Sequence, residues 1–207
     1  MFPSKTAVIS GGASTGATFT NSTAIRMDGS STYYMDTGYA FESQIQDGRF
    51  SIGMWIKPDD GQPSSDEYLF GSSDTTGGSN ATSSIAIMIN QAGMFSGRLE
   101  VQIRVESSVM SIVRFVDNST TFADGAASDY SHILVVFNRV VITVYVNGSA
   151  LTALGDAYGD GDISGLTFGN YKNEQRLALS AYNDDGSVGG GYSGFIDEAA
   201  FWDTNLD

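Results

Sequence analysis

Cysteine is absent from the 207 residues. That excludes a disulfide framework, a zinc–thiolate centre and a thiol nucleophile. Histidine occurs once, as His132, so no multi-histidine metal centre can form. No apolar run is long enough to cross a bilayer or to form the core of a secretory signal. The expectation is a protein made in the cytosol, or exported or released by another route. Cationic residues are scarce as well: 10 Lys and Arg stand against 24 Asp and Glu, a net charge of -14. Such a charge disfavours nucleic-acid phosphates and anionic membranes as partners. A solvated acidic surface is its simplest meaning, with cation binding as a second one. The Asn-x-Ser/Thr triplets at Asn21, Asn80, Asn118 and Asn147 reflect a chain rich in Asn, Ser and Thr.

Proline occurs 3 times but glycine 25 times, and 41% of residues are hydrophobic. That combination gives one core and many tight turns rather than a low-complexity linker. The length suits a single large all-β domain. Residues 1–20 are small and polar without a period, and are expected to form an extended arm. From residue 21 onward, short strands follow one another. Phe50, Ile52, Met54 and Ile56 mark one face of a strand, with Trp55 on the other. Ile85, Ile87 and Ile89 mark a second strand. Leu99, Val101, Ile103 and Val105 mark a third, with Arg98, Glu100, Gln102 and Arg104 opposite. This is the clearest half-buried pattern in the chain. Ile133–Phe137 is apolar on both faces and returns through a turn at Asn138-Arg139 to Val141–Val146. Residues 72–84, 155–162 and 183–194 read as loops; 166–169 and 177–182 read as strands. No helical period is sustained. About a dozen strands at short spacing predict a two-sheet antiparallel sandwich.

The stretch Gly194–Asp203 reads as the last strand. Simple alternation puts Phe195, Asp197, Ala199 and Phe201 on one face and Ile196, Ala200 and Trp202 on the other. A carboxylate within an apolar face needs a partner, because burying it unpaired is costly.

Phe50–Pro58 resembles the first core strand of laminin-G-like modules of the concanavalin A-like lectin/glucanase superfamily. His132–Phe137 with Val144–Gly148 resembles that family's central hairpin, Gly194–Glu198 its final strand, and Arg26–Gly29 its first. The four motifs occur in the family's order. Tyr130 stands where the family often has tryptophan, and the family usually continues past the position of Asp207. The resemblance implies a jelly-roll sandwich of two curved sheets, and binding or adhesion more often than catalysis.

Hydrolytic members of that superfamily carry Glu-x-Asp-x-x-Glu on one strand, a spacing absent here. No catalytic residue is assigned, and the expectation is a non-enzyme. His132 opens a core strand and reads as structural. The resemblance also suggests a structural calcium ion held by Asp197 and the backbone of the Asp28-Gly29 turn. The competing reading is that Asp197 accepts backbone amides and pins the last strand to the first; both stay open. Asp156-Ala-Tyr158-Gly-Asp160-Gly-Asp162 resembles the metal loop of legume lectins but lacks its partner histidine, and a solvated turn is the preferred reading. Asn183–Gly186 has the signature of an ordinary turn. For sugar binding, the candidates are Trp55, Tyr182 and Tyr192, offered as an aromatic platform. The alternative for Trp55 is a place in the core beneath a loop.

Two functional classes follow. The leading expectation is an adhesion or assembly module, a structural component of a virion such as a phage capsid or tail. It would oligomerise or join other subunits through residues 1–20. The alternative is a glycan-binding lectin or carbohydrate-binding module at a cell surface or outside the cell, with calcium as a structural ion.

Overall fold

The computed structural model describes residues 8–10, 18–19, 24–74, 83–89, 97–105, 111–116, 121–153 and 161–206, with backbone alone for 8–10, 18–19, 111–116 and 153. Among them the strands are β1 (Val8–Ser10), β2 (Thr18–Phe19), β3 (Ile25–Asp28), β4 (Tyr34–Asp36), β5 (Arg49–Pro58), β6 (Glu67–Asp74), β7 (Ser83–Ile89), β8 (Leu99–Arg104) and β9 (Ser111–Val116). They continue as β10 (Ser131–Asn138), β11 (Ile142–Val146), β12 (Ser149–Ala150), β13 (Thr152–Ala153), β14 (Ala178–Leu179), β15 (Tyr182–Asp184), β16 (Ser187–Gly189) and β17 (Ser193–Trp202). One sheet is ordered β1-β4-β14-β6-β7-β8-β9-β13, with the β15–β16 hairpin laid beside β6; the other is ordered β12-β11-β10-β5-β17-β3-β2. This is the all-β sandwich that the strand spacing predicts. Of the expected arm, β1 pairs with β4 and β2 with β3; the rest of residues 1–20 lies outside the described residues.

The core is the facing sides of the two sheets. Phe50, Ile52, Met54 and Ile56 of β5 join Ile133, Val135 and Phe137 of β10. Ile85, Ile87 and Ile89 of β7 and Leu99, Val101 and Ile103 of β8 meet them from the other sheet. Each such side chain contributes about 1.5–3 kcal/mol by leaving water. The segment 171–175 is anchored on the end of β6 and the start of β7. There the fully buried Asn173 donates through Nδ2 to the Ser72 carbonyl and hydroxyl and to the Tyr171 hydroxyl.

Several local readings change. Residues 42–47 form a helix, α1 (Glu42–Asp47), ended by Gly48 at φ 72°. Six residues are too few to display a helical period, and only Ile45 is buried. Phe168–Asn170 is a 3-10 turn rather than a strand. Residues 183–194 are not only loop, because β15 and β16 pair within them. β6 and β7 extend to Asp74 and back to Ser83, into the expected loop. In the turn after β10, Arg139 takes the positive φ, 73°, rather than Asn138. Asn138 instead caps the turn, its side-chain oxygen accepting the amides of Val140 and Val141.

The last strand departs most from simple alternation. Opposite β5, Asp197 pairs with Trp55 and Ala200 with Gly53, so β17 has one extra residue between them. Glu198 absorbs it at φ 47°. The bulge reverses the strand's phase. Ile196 and Phe201, five residues apart, therefore both face the core, at 2% and 9% exposure. Asp197 and Trp202 both face outward. Asp197 is thus not a carboxylate on the apolar face, and its Oδ1 accepts its own neighbour's amide, Glu198 N, at 2.8 Å.

The tie between the last strand and the first is Arg26. Its guanidinium donates to the carbonyls of Met27 and, at 3.1 Å, Gly194, and pairs with Asp59. Asp59 also accepts Ser193 Oγ at 2.6 Å. We expect Arg26→Ala to lower unfolding free energy by about 1–2 kcal/mol and Asp197→Ala to change it by less than about 0.5 kcal/mol. Urea denaturation of the two variants checks this; the reverse order would restore Asp197 as the clasp.

Beside this cluster Glu67 is 9% exposed and accepts the Ser193 amide at 3.2 Å. Burial pushes its carboxyl from 4.5 up to about 7, opposed by that amide and aided by Asp60 and Asp59. A raised acid pKa means the folded state holds a proton that the unfolded state has released. This group's contribution to stability is therefore full below pH 4.5 and is lost as pH rises to about 7. Glu67→Gln should stabilise the protein at pH 7.5, by on the order of 3 kcal/mol at most, and leave it nearly unchanged at pH 4. Denaturation midpoints of variant and wild type across that range measure the difference.

Candidate functional site

The polar side of β8 points away from the core, yet water does not reach much of it. Three rows cross β6, β7 and β8 on the outer face of their sheet. The first is Tyr68, Met88 and Glu100; the second Gly71, Ala86 and Gln102; the third Ser73, Ser84 and Arg104. Met88, Ala86 and Glu100 are each 1% exposed, and Ser73 and Ser84 each 3%. Tyr68, Gln102, Arg104 and Tyr182 are half-buried around them. The segments joining these strands, 75–82, 90–96 and 106–110, lie outside the described residues.

Two tyrosines frame this face, each seated by a glycine. A Cβ on Gly71 would lie 2.7 Å from the Tyr182 ring, and one on Gly190 2.2 Å from that of Tyr68. The β15–β16 hairpin brings the rings together, with centroids 4.9 Å apart. Burial pushes the Tyr68 phenol up to about 12, with Tyr182 adding to the shift. Burial raises Tyr182 too, while its hydrogen bonds to Ser73 and Ser84 pull the other way. Both phenols are therefore neutral O–H groups at physiological pH. The Ser73 hydroxyl also donates to Asp184. Gln102 Nε2 donates to Glu100 Oε1 at 2.5 Å.

Arg104 breaks this pattern of satisfaction. Its Nε is buried and has no hydrogen-bond partner among the described residues. A buried guanidinium N–H without an acceptor is costly, so such a group points to an acceptor brought by something else. Among the described residues, two carboxylates, an amide and a guanidinium thus share one face with two phenols and two serines.

The residues expected to form one sugar platform are dispersed. Tyr182 is on this face. Trp55, 37% exposed, lies on the outer face of the opposite sheet. Tyr192 is 0% exposed within the core, so it offers no ring face to a ligand. Trp55 is exposed rather than in the core, and its ring packs beside His132, centroids 5.0 Å apart.

The calcium ligands are also separated. Asp28 pairs with Ser193, four residues along β17 from Asp197, roughly 13 Å. One ion with ligands at about 2.3–2.6 Å cannot take both. Asp28 Oδ1 accepts the Ser30 amide at 2.9 Å, and the Gly29 amide donates to the Tyr192 carbonyl at 3.0 Å. Among the described residues no group of three His, Asp or Glu could hold a metal ion. Of the lectin-like acidic loop, Asp156, Tyr158 and Asp160 lie outside the described residues; Asp162 accepts the Ser164 amide at 2.8 Å. Asn183–Gly186 is the β15–β16 turn, where Asn183 Oδ1 accepts the Gly186 amide at 2.9 Å.

Sequence reasoning found the strand of Glu100, Gln102 and Arg104 but read its polar side as solvated. The signal it lacked was what lies above that side. Only folding brings Tyr182, from the β15–β16 hairpin far along the chain, over Gly71.

Solved structures with the same fold include sugar-binding domains. The CBM40 domain of the Ruminococcus gnavus IT-sialidase, bound to α2,3-sialyllactose, is similar with a TM-score of 0.63 at 12% identity, over 89% of this chain and 91% of that one. Domain 4 of AbnA, an extracellular GH43 arabinanase of Geobacillus stearothermophilus, in complex with arabinotriose, is similar at 0.58 and 15%, over 97% and 84%. The binding domain of botulinum neurotoxin DC, in complex with rat synaptotagmin II, is similar at 0.63 and 11%, over 98% and 44%. No curated protein matches the chain. The laminin-G family model matches residues 11–207, nearly the whole sandwich, and the chain belongs to the concanavalin A-like lectin/glucanase superfamily.

Proposed function

We propose that the protein is a carbohydrate-binding module whose ligand lies on the outer face of β6–β8. The observation that carries this reading is the Nε of Arg104, buried without a partner among the described residues, on a face floored by Glu100, Ser73 and Ser84 beside Met88 and Ala86. A saccharide supplies the missing acceptor as a hydroxyl or, more strongly, as the carboxylate of an acidic sugar. Tyr68 and Tyr182 supply ring surface, and Gln102 and Glu100 supply a donor–acceptor pair for hydroxyls. The sialyllactose-bound and arabinotriose-bound structures support the fold's suitability for such ligands.

We read the site as binding rather than hydrolysing. Its two carboxylates, Glu100 and Asp184, belong to rows four residues apart along the strands, roughly 13 Å. Glycoside hydrolysis places its two carboxylates about 5–9.5 Å apart. Glu100 is moreover engaged by Gln102. The similar structures favour this glycan-binding alternative over the virion-component reading.

Calorimetry with α2,3-sialyllactose, lactose and arabinotriose tests the proposal. Sialyllactose should bind, and more tightly than lactose. Arg104→Ala should weaken that binding roughly 10- to 150-fold, the loss of one charge-assisted hydrogen bond. Tyr182→Ala should weaken it as well, with the fold intact by circular dichroism. If no acidic or neutral glycan binds the wild type, or if Arg104→Ala leaves affinity unchanged, this face is not the site.

A further inference from the structure

The opposite face of the sandwich carries a second set of aromatic rings, unrelated to the first. On the outer face of β5, Gly53, Trp55 and Lys57 follow one another at alternate positions. The Trp202 ring lies over Gly53, where a Cβ would come within 2.9 Å of it. Trp55 stands next, and Tyr130, 36% exposed, stands beyond, beside Phe195. The positions of Gly53 and Lys57 are roughly 13 Å apart. These rings therefore form a strip along the strand rather than a single exposed side chain.

Each ring is buttressed. His132 supports Trp55 from β10. Phe195 meets Tyr130 edge-on with centroids 6.4 Å apart, and is itself covered by the Arg26 guanidinium, 5.2 Å from its centroid. Rings held this way lose little freedom when a ligand stacks on them. Charged groups are interleaved rather than excluded. Asp197 is the register partner of Trp55, and Lys57 that of Phe195. Arg26 is paired with Asp59. A stable protein–protein interface has a centre depleted of charge. A strip of partly exposed rings with hydroxyl-binding groups between them suits the apolar face and the equatorial hydroxyls of a sugar chain.

We propose that this strip is a second saccharide site, for a neutral oligosaccharide, and that the module is bivalent with two sites of different chemistry on opposite faces. Lys57 and Asp197 both stand on the strip, so neither sign of charge dominates it. In a chain of net charge -14, a neutral ligand is the one such a strip suits. This inference does not depend on the Arg104 site, since no residue is shared.

The test uses the full chain with cellohexaose, xylohexaose and arabinotriose, reading tryptophan fluorescence and calorimetry. At least one of these neutral oligosaccharides should bind and change the emission. Trp55→Ala should weaken that binding at least tenfold, Tyr130→Ala should weaken it less, and Arg104→Ala should leave it unchanged. Sialyllactose binding should show the opposite pattern. If Trp55→Ala loses its fold by circular dichroism, Tyr130→Ala and Trp55→Phe carry the comparison. The proposal is overturned if none of the three binds, if binding survives Trp55→Ala, or if Arg104→Ala abolishes it. It is also overturned if sedimentation shows that Trp55→Ala instead dissolves a dimer, which would make the strip an interface between copies.

Discussion

One extra residue in β17 decides what the core side and the outer side of its sheet present there. Without the bulge at Glu198, Ile196 and Phe201 would point to opposite sides, and one large apolar side chain would stand in water. A residue at φ 47° is strained for glutamate, at a cost of order 1 kcal/mol or more. The return is two core side chains, each contributing about 1.5–3 kcal/mol by burial. Phe201 stacks on Phe50 and on Phe41, with centroids 5.4 and 4.4 Å away. The same phase reversal turns Asp197 and Trp202 outward. Core packing thus selects the bulge, and the outer strip follows from it.

The strands β5, β7 and β8 and their core faces were legible in the sequence, because alternation reports directly which side chains leave water. The bulge was not, because alternation assumes a period of two and cannot show where it is reset. The mistaken place of Asp197 came from that assumption. Helix α1 and the β15–β16 hairpin were hidden for a different reason. Each is only a few residues long, and each is held by what it packs on rather than by its own pattern. Family resemblance supplied the architecture correctly, yet it did not identify Arg26 as the strand tie.

The candidate site was half legible. Arg98, Glu100, Gln102 and Arg104 were visible as the polar side of a strand, and polar sides are usually solvated. What alters their meaning is burial, and burial on this face comes from chain distant in sequence. Glu100 at 1% exposure and an Arg104 Nε without a partner among the described residues are tertiary facts. A polar residue type in a strand says little about function until its solvation is known.

The two outer faces use one device. Trp202 rests on Gly53, Tyr182 on Gly71 and Tyr68 against Gly190. In each case the absent side chain is the seat of the ring, since even a methyl group would collide with it. In the middle of a strand glycine weakens the sheet by roughly 0.5–1 kcal/mol relative to alanine. A fold under pressure for stability alone would fill positions 53 and 71 with β-branched residues. That they are open, and that an aromatic ring occupies each opening, fixes rings on surfaces where the core gains least from them. Rings fixed in advance lower the entropy lost when a ligand stacks. The glycines are therefore better understood as part of the two proposed binding faces than as turn residues that happen to lie in strands.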